Sequence, residues 1–161
     1  MVISSKLEHI NFLRTILAEI EKVNNENQVK FLFLLIGQAI EILGSYFDNK
    51  PFRAKQQSSK RFEIAIYKLF PNEYQKINNK NFLYYQLRNF LTHSFIPSDK
   101  LLLKANSTQS SIKHLCYDNE ILIIYADIFY KDFSTAVEKL IKMVENDKIK
   151  LKKISGSDVE K

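Results

Sequence analysis

The run from Val29 to Leu43 leaves this chain few ways to fold. Only Lys30, Gln38 and Glu41 bring a charge or a side-chain amide into it, and its apolar positions fall on every side of a helix rather than along one stripe. A helix that is greasy all round has to be wrapped by other elements, which makes this one the middle of a bundle. It is too interrupted and too short to read as a membrane span. The spacing predicts a helix from Glu26 or Asn27 to Phe47.

The wrapping elements can be read on either side of it. Ser5-Lys6-Leu7-Glu8 matches a capping box, in which the hydroxyl and the carboxylate each satisfy a free amide at a helix start. Leu7, Ile10, Leu13, Ile16, Leu17, Ile20 and Val23 then recur at helical spacing, up to the Asn24-Asn25 pair. His9 lies beside that stripe and reads as a surface residue. A third helix, capped by Ser58 or Ser59, carries Phe62, Ile64, Ala65, Ile66, Leu69 and Phe70 and stops at Pro71, which opens a short extra turn. Ile77 to Asn81 is a polar break. A last long helix opens at Ala126 or Asp127 with Phe129, Phe133, Ala136, Val137, Leu140, Ile141 and Val144 as its apolar face. Three glycines and three prolines in 161 residues agree with long helices and short connections.

Between Pro97 and the last helix the composition turns strand-like, in Leu101 to Leu103, Ile112 to Tyr117 and Ile121 to Tyr125. Asp118-Asn119 suits a tight hairpin. His114 and Cys116 would share one strand face, but two ligands do not make a metal site. From Asn146, lysines alternate with Ile149, Leu151 and Ile154, which suits a continued helix or a strand. The expectation is a mainly α protein with a single domain over residues 1–154. It is an up-and-down bundle of four to five helices, with a small antiparallel β-hairpin or three-stranded ribbon inserted before the last long helix. Residues 155–161 are expected to form a flexible tail.

The rarest combination of chemistry lies in the helix expected after Asn81. On an α-helix Leu83, Leu87, Phe90 and Leu91 share one side and face the core. Tyr84, Arg88 and Thr92 form a second column, and Tyr85, Asn89 and His93 a third beside it. Arg88 and His93 are offset by roughly 140° on an ideal helix. Aiming both at one atom therefore takes a paired copy or a distorted helix end.

At Arg88-Asn89-Phe90-Leu91-Thr92-His93 the sequence resembles the HEPN superfamily, small helical domains marked by Arg-x(4-6)-His near the end of an inner helix, commonly with a polar residue after the arginine. The resemblance covers roughly Ser5 to Phe95 and the C-terminal helix, not the strands. It implies a metal-independent endoribonuclease without cofactor, working as a homodimer in which two copies of Arg88 and His93 face one RNA backbone. His93 would act as general base on the 2'-OH or acid on the leaving 5' oxygen, and Arg88 would hold the phosphate. Asn89 would orient the imidazole or the phosphate. The products would be a 2',3'-cyclic phosphate and a 5'-OH. In a toxin subgroup of the family the position of Phe95 is a tyrosine that an antitoxin modifies; Phe95 has no hydroxyl, which puts that route of regulation in doubt.

Three further features bear on this site. Gln38, Glu41 and Ser45, at i, i+3 and i+7, form a narrow polar stripe on the central helix. A buried carboxylate needs a partner, so either Glu41 meets a cation, with Arg88 the first candidate, or the stripe touches solvent or a loop. Lys50, Arg53, Lys55, Lys60 and Arg61 lie in a segment without acids, which reads either as a track for a phosphate backbone or as a solvated loop. Tyr84 and Tyr85 suit base stacking as well as a core or dimer contact.

The net charge of +6 suits an anionic partner such as RNA. Cys116 is the only cysteine, which leaves no internal disulfide and fits a reducing cytoplasm. The first ten residues lack the pattern of a signal peptide. No Walker motif, Cys-x-x-Cys pair or Gly-x-Ser-x-Gly elbow is present, and the lack of carboxylate clusters argues against a two-metal nuclease. Three readings follow: a toxin or defence ribonuclease held in check by an inhibitor or antitoxin protein, a non-catalytic RNA-binding or protein-interaction module, and a helical regulator with a fortuitous motif.

Overall fold

In a computed structural model, which describes residues 3–108 and 110–154, the apolar run is α2 (Val29–Ser45), and its Leu32, Phe33, Ile36, Ile40 and Leu43 are all but fully buried. Around it pack α1 (Lys6–Asn25), α3 (Ser58–Leu69) and α6 (Ala126–Glu145), together with a π-helical segment (Tyr84–Asn89) that leads into α5 (Phe90–Ser94). A short α4 (Asn72–Ile77) follows Pro71 and buries Tyr74. Among the described residues no helix is long and apolar enough to cross a membrane. The tail expected at 155–161 lies outside the described residues.

Local chemistry accounts for the helix ends. The capping box forms at Ser5 and Glu8, and α1 stops at Asn25. Helix α3 starts at Ser58 without a side-chain cap, contrary to expectation. Ser59 serves elsewhere, because its carbonyl and hydroxyl both accept from the buried Asn81 amide at 2.8 Å. Asn78 in turn accepts the Leu83 N–H at 2.8 Å, so two asparagines of the polar break set the start of the motif helix.

Two of the chain's three glycines lie inside α2, where each costs about 1 kcal/mol of helix propensity relative to alanine. Packing requires only one of them. A Cβ on Gly44 would lie 1.8 Å from the Arg61 carbonyl oxygen, so α2 and α3 touch backbone to backbone there. A Cβ on Gly37 would stand 3.4 Å from the Arg88 Cβ and Cγ, an ordinary contact.

The sheet is mixed, not the antiparallel ribbon expected. β2 (Cys116–Asp118) pairs antiparallel with β3 (Ile121–Tyr125), but β1 (Leu101–Lys104) runs parallel to β3 and lies on its other side. The chain crosses from β1 through residues 105–115 before the hairpin begins, and that length allows the parallel pairing. The hairpin turn is Asn119-Glu120, one residue later than expected, with both residues left-handed and Asp118 paired with Ile121. The strand foreseen from Ile112 is cut to three residues because Leu115 takes φ 58°. His114 therefore lies in a turn and shares no strand face with Cys116.

Two burial assignments also change. His9 is fully buried, with Nδ1 accepting from the Tyr46 hydroxyl at 2.9 Å and Nε2–H donating to the Lys152 carbonyl at 2.8 Å. Both ring nitrogens are satisfied, so burial is tolerated. Phe90, assigned to the core face, is 44% exposed, because Leu83, Leu87 and Leu91 alone fill that face. From Asn146 to Ile154 the chain is neither helix nor strand. Residues 148–154 form a strap back over the bundle, with Ile149 buried and the Ile154 N–H bonded to the Ser4 hydroxyl at 3.0 Å.

The glycine pair gives a controlled test. Gly44→Ala should destabilise the protein by about 2–4 kcal/mol, because backbone must move to admit the methyl. Gly37→Ala should lie within about 1 kcal/mol of the parent, since its methyl meets only an ordinary contact and helix propensity improves. Urea unfolding of both variants checks this, and equal losses would contradict it.

Candidate functional site

The motif helix repeats its buried leucines every four residues, at Leu83, Leu87 and Leu91. Four residues overshoot one α-helical turn by about 40°, so an unbroken α-helix would swing such a row off the core. The i→i+5 bonding of Tyr84–Asn89 takes more residues per turn and holds the row in line. The polar column beside it stays in register as well. The Arg88 guanidinium carbon lies 5.5 Å from the Tyr84 ring centroid, and the Thr92 hydroxyl donates to the Arg88 carbonyl at 2.8 Å.

Arg88 passes alongside Gly37 and pairs with Glu41, Nε to Oε1. The two side chains are only 16% and 14% exposed, and neither of these atoms has another hydrogen-bond partner among the described residues. This ion pair lines a cleft of about 370 Å³, together with Gln38, Ser45, Arg53, Ser58 and Arg61 and the apolar Phe12, Phe52 and Ile154. The polar stripe of α2 is thus one wall of the cleft. The Tyr84 hydroxyl, next to it, is raised by burial, with the Arg88 charge opposing.

Of the cations in the 50–61 segment, Arg61 is spent. It is 5% exposed and binds Asp48 through Nε at 2.7 Å and Nη2 at 3.1 Å, with its other donors on the Phe52 and Pro51 carbonyls. Lys152 of the strap joins the same knot. Its ammonium donates to Asp48 Oδ1 at 3.1 Å, to the Lys50 carbonyl at 2.6 Å and to the Ser45 carbonyl. Burial alone would raise the Asp48 carboxyl, but the bonds from Arg61, the Lys50 N–H and Lys152 outweigh it and bring the pKa down to about 2. Burial lowers the Lys152 ammonium, with Asp48 opposing. This knot fixes the 48–57 loop and the Ile154 wall. Nothing in the sequence short of the fold marks Asp48, Lys152 or Ile154, whereas glycines inside a helix do signal close packing.

The cleft brings together Glu41, Arg88 and Arg53, and it leaves the other expected residues outside its lining. Lys55 is exposed on the loop beyond it. Tyr85 is 48% exposed and packs edge-on against Tyr84 at 5.1 Å. Asn89 is half-buried, and Thr92 and His93 are exposed. His93 therefore lies outside the cleft that Arg88 lines. Past His93, Phe95 takes a left-handed conformation that ends α5 and lays its ring 5.0 Å from Phe31, with the Lys30 ammonium 5.7 Å from the Phe95 ring. Phe31, Phe90, Phe95 and Ile96 are 49%, 44%, 39% and 63% exposed, so exposed apolar side chains lie within three residues of His93 in the chain and, through the Phe31–Phe95 contact, on α2. No protein-family model, curated protein or solved structure matches the chain.

Two measurements test this account. Glu41→Ala leaves the Arg88 charge buried alone and should cost about 3 kcal/mol. The double variant with Arg88→Met should cost clearly less than the sum of the single changes, whereas additive losses in urea would deny the coupling. A carboxyl held at about 2 when folded, against roughly 3.9 when unfolded, contributes stability that is complete above about pH 4 and lost as pH falls toward 2. Asp48→Asn should therefore remove about 2 kcal/mol at neutral pH and flatten the acid limb of the stability profile.

Proposed function

We propose that the protein is a metal-independent endoribonuclease of the HEPN type, with the HEPN bundle arrangement, acting as a homodimer in the cytoplasm as a toxin or defence effector. What carries the reading is the arginine of the Arg-x4-His motif, held by Glu41 at the wall of a cleft. Glu41 takes the Nε side of Arg88 and leaves the terminal nitrogens of the fork for a phosphate. Arg53 and Lys55 add positive charge along the path of the RNA backbone. Tyr84 and Tyr85 offer ring surface for stacking, and Asn89 and Thr92 support the motif from the same helix.

His93 lies outside the cleft of its own chain, so the composite site needs a second copy. The apolar surface of Phe31, Phe90, Phe95 and Ile96 beside His93 is where that copy docks, which brings two histidines to one scissile phosphate. One imidazole takes the 2'-OH proton and the other protonates the 5' oxygen, and Arg88 neutralises the charge building on phosphorus. An inhibitor or antitoxin protein restrains the enzyme in the cell.

A second reading has one observation in its favour. His93 is exposed, and among the described residues no carboxylate or carbonyl holds its ring, as in a module that binds RNA or protein without cleaving it.

Incubating purified protein with end-labelled RNA in EDTA separates the two. The ribonuclease reading expects cyclic-phosphate ends and a loss of about 100-fold or more in His93→Ala and Arg88→Ala, with a dimer by sedimentation. Intact RNA with retained, salt-sensitive binding would establish the module instead.

A further inference from the structure

A second polar system lies away from the cleft, where the sheet meets the bundle, with His114 and Asp132 half-buried. His114, in the turn before β2, has Nε2 2.8 Å from the Tyr74 hydroxyl of α4. That hydroxyl donates to Asp132 Oδ2 of α6 at 2.7 Å. On the other side of the ring, the Tyr125 backbone N–H at the junction of β3 and α6 donates to Nδ1 at 3.1 Å. Tyr74 is 1% exposed and Tyr125 fully buried.

Counting protons leaves one arrangement. An ionised carboxylate only accepts, so the Tyr74 proton points to Asp132 and the Tyr74 oxygen accepts from His114 Nε2–H. Nδ1 is then bare and accepts the Tyr125 amide. The neutral Nε2–H tautomer alone satisfies every group.

We propose that His114 is a proton-operated clasp between the sheet and the helical bundle, closed with a neutral ring and opened by protonation at Nδ1. A second proton sets Nδ1–H against the Tyr125 N–H, and a backbone amide cannot turn round to accept. The Tyr125 bond therefore breaks, while the Nε2–Tyr74–Asp132 chain survives with a charged ring. The turn at Ile112–Leu115 then loses one of its ties to Tyr125, the other being the Tyr125 hydroxyl on the Ile112 carbonyl at 2.8 Å.

His9 shows what a non-switching histidine looks like. Its Nδ1 faces the Tyr46 hydroxyl, which rotates from donor to acceptor when the ring is protonated, so no bond is lost. The groups facing His114 are Tyr74 of α4, Asp132 and Asp127 of α6 and Tyr125 of β3. Burial lowers the imidazole, and the two aspartates oppose it without prevailing. The folded state thus binds fewer protons than the unfolded one, so the clasp holds fully above about pH 6.5 and is lost as pH falls below it.

The test is NMR on the full-length, nitrogen-15-labelled protein from about pH 8 to about pH 5. At high pH the His114 ring should show the Nε2–H form. Through the titration of that ring, exchange protection of the Tyr125 amide, corrected for its intrinsic rate, should fall by about fivefold to tenfold. Asp132→Asn should lower the His114 midpoint and move the loss of Tyr125 protection to the same lower pH, which a purely structural histidine would not show. His114→Gln should leave Tyr125 protection independent of pH. If that variant fails to fold, Tyr74→Phe replaces it, because it cuts the tie to Asp132 and keeps the Tyr125 bond, and it too should lower the midpoint. An Nδ1–H ring at high pH, or Tyr125 protection that stays flat while His114 titrates, would overturn the proposal.

Discussion

The backbone contact of α2 and α3 at Gly44 fixes more of this molecule than any single ion pair. With no Cβ in the way, the Arg61 carbonyl lies against the central helix, and the Arg61 side chain is delivered to the end of α2, where Asp48 waits. Asp48 closes on the guanidinium, the 50–57 loop wraps the same arginine through its carbonyls, and Lys152 brings the strap onto the assembly. Each step uses groups the previous one has placed. The cleft is the space left between this knot and the motif helix, so its shape is set by packing some distance from Arg88.

A buried arginine with a single carboxylate partner is an expensive arrangement, since desolvation rivals the Coulomb gain. In a core as apolar as this one, hydrophobic residues would pack at least as well in their place. The pair makes better sense as positioning than as cohesion. Glu41 fixes where the guanidinium lies before any ligand arrives, so ordering the side chain adds little to the cost of binding.

What could be read from the sequence divides along physical lines. Helices α1, α2 and α6 were legible because their apolar residues recur over many turns, and the Ser5 capping box fixed one end to the residue. The partner of Glu41 was legible because a carboxylate inside a greasy helix has few choices. The sheet was legible as composition but not as topology, since nothing in Leu101–Lys104 says on which side of β3 it will lie. His9 misled because one imidazole beside an apolar stripe looks the same whether it faces water or a tyrosine hydroxyl from another element. Asp48 and Lys152 are 104 residues apart and ordinary in type; only the fold makes them neighbours. The exposure of His93 within one chain likewise depends on the whole arrangement and has no local signature.

The wide turn at Tyr84–Asn89 has a consequence for descent as well as for geometry. A π-helical segment of this kind is in effect an α-helix with one residue too many. Were that residue lost, the leucines before it and the arginine after it would be turned by about 100° relative to one another, and no rotamer could restore both contacts. Single-residue deletions here would thus be a harsher change than most substitutions, and lineages keeping the arginine's pairing would have to keep the length of this stretch even while its letters drift.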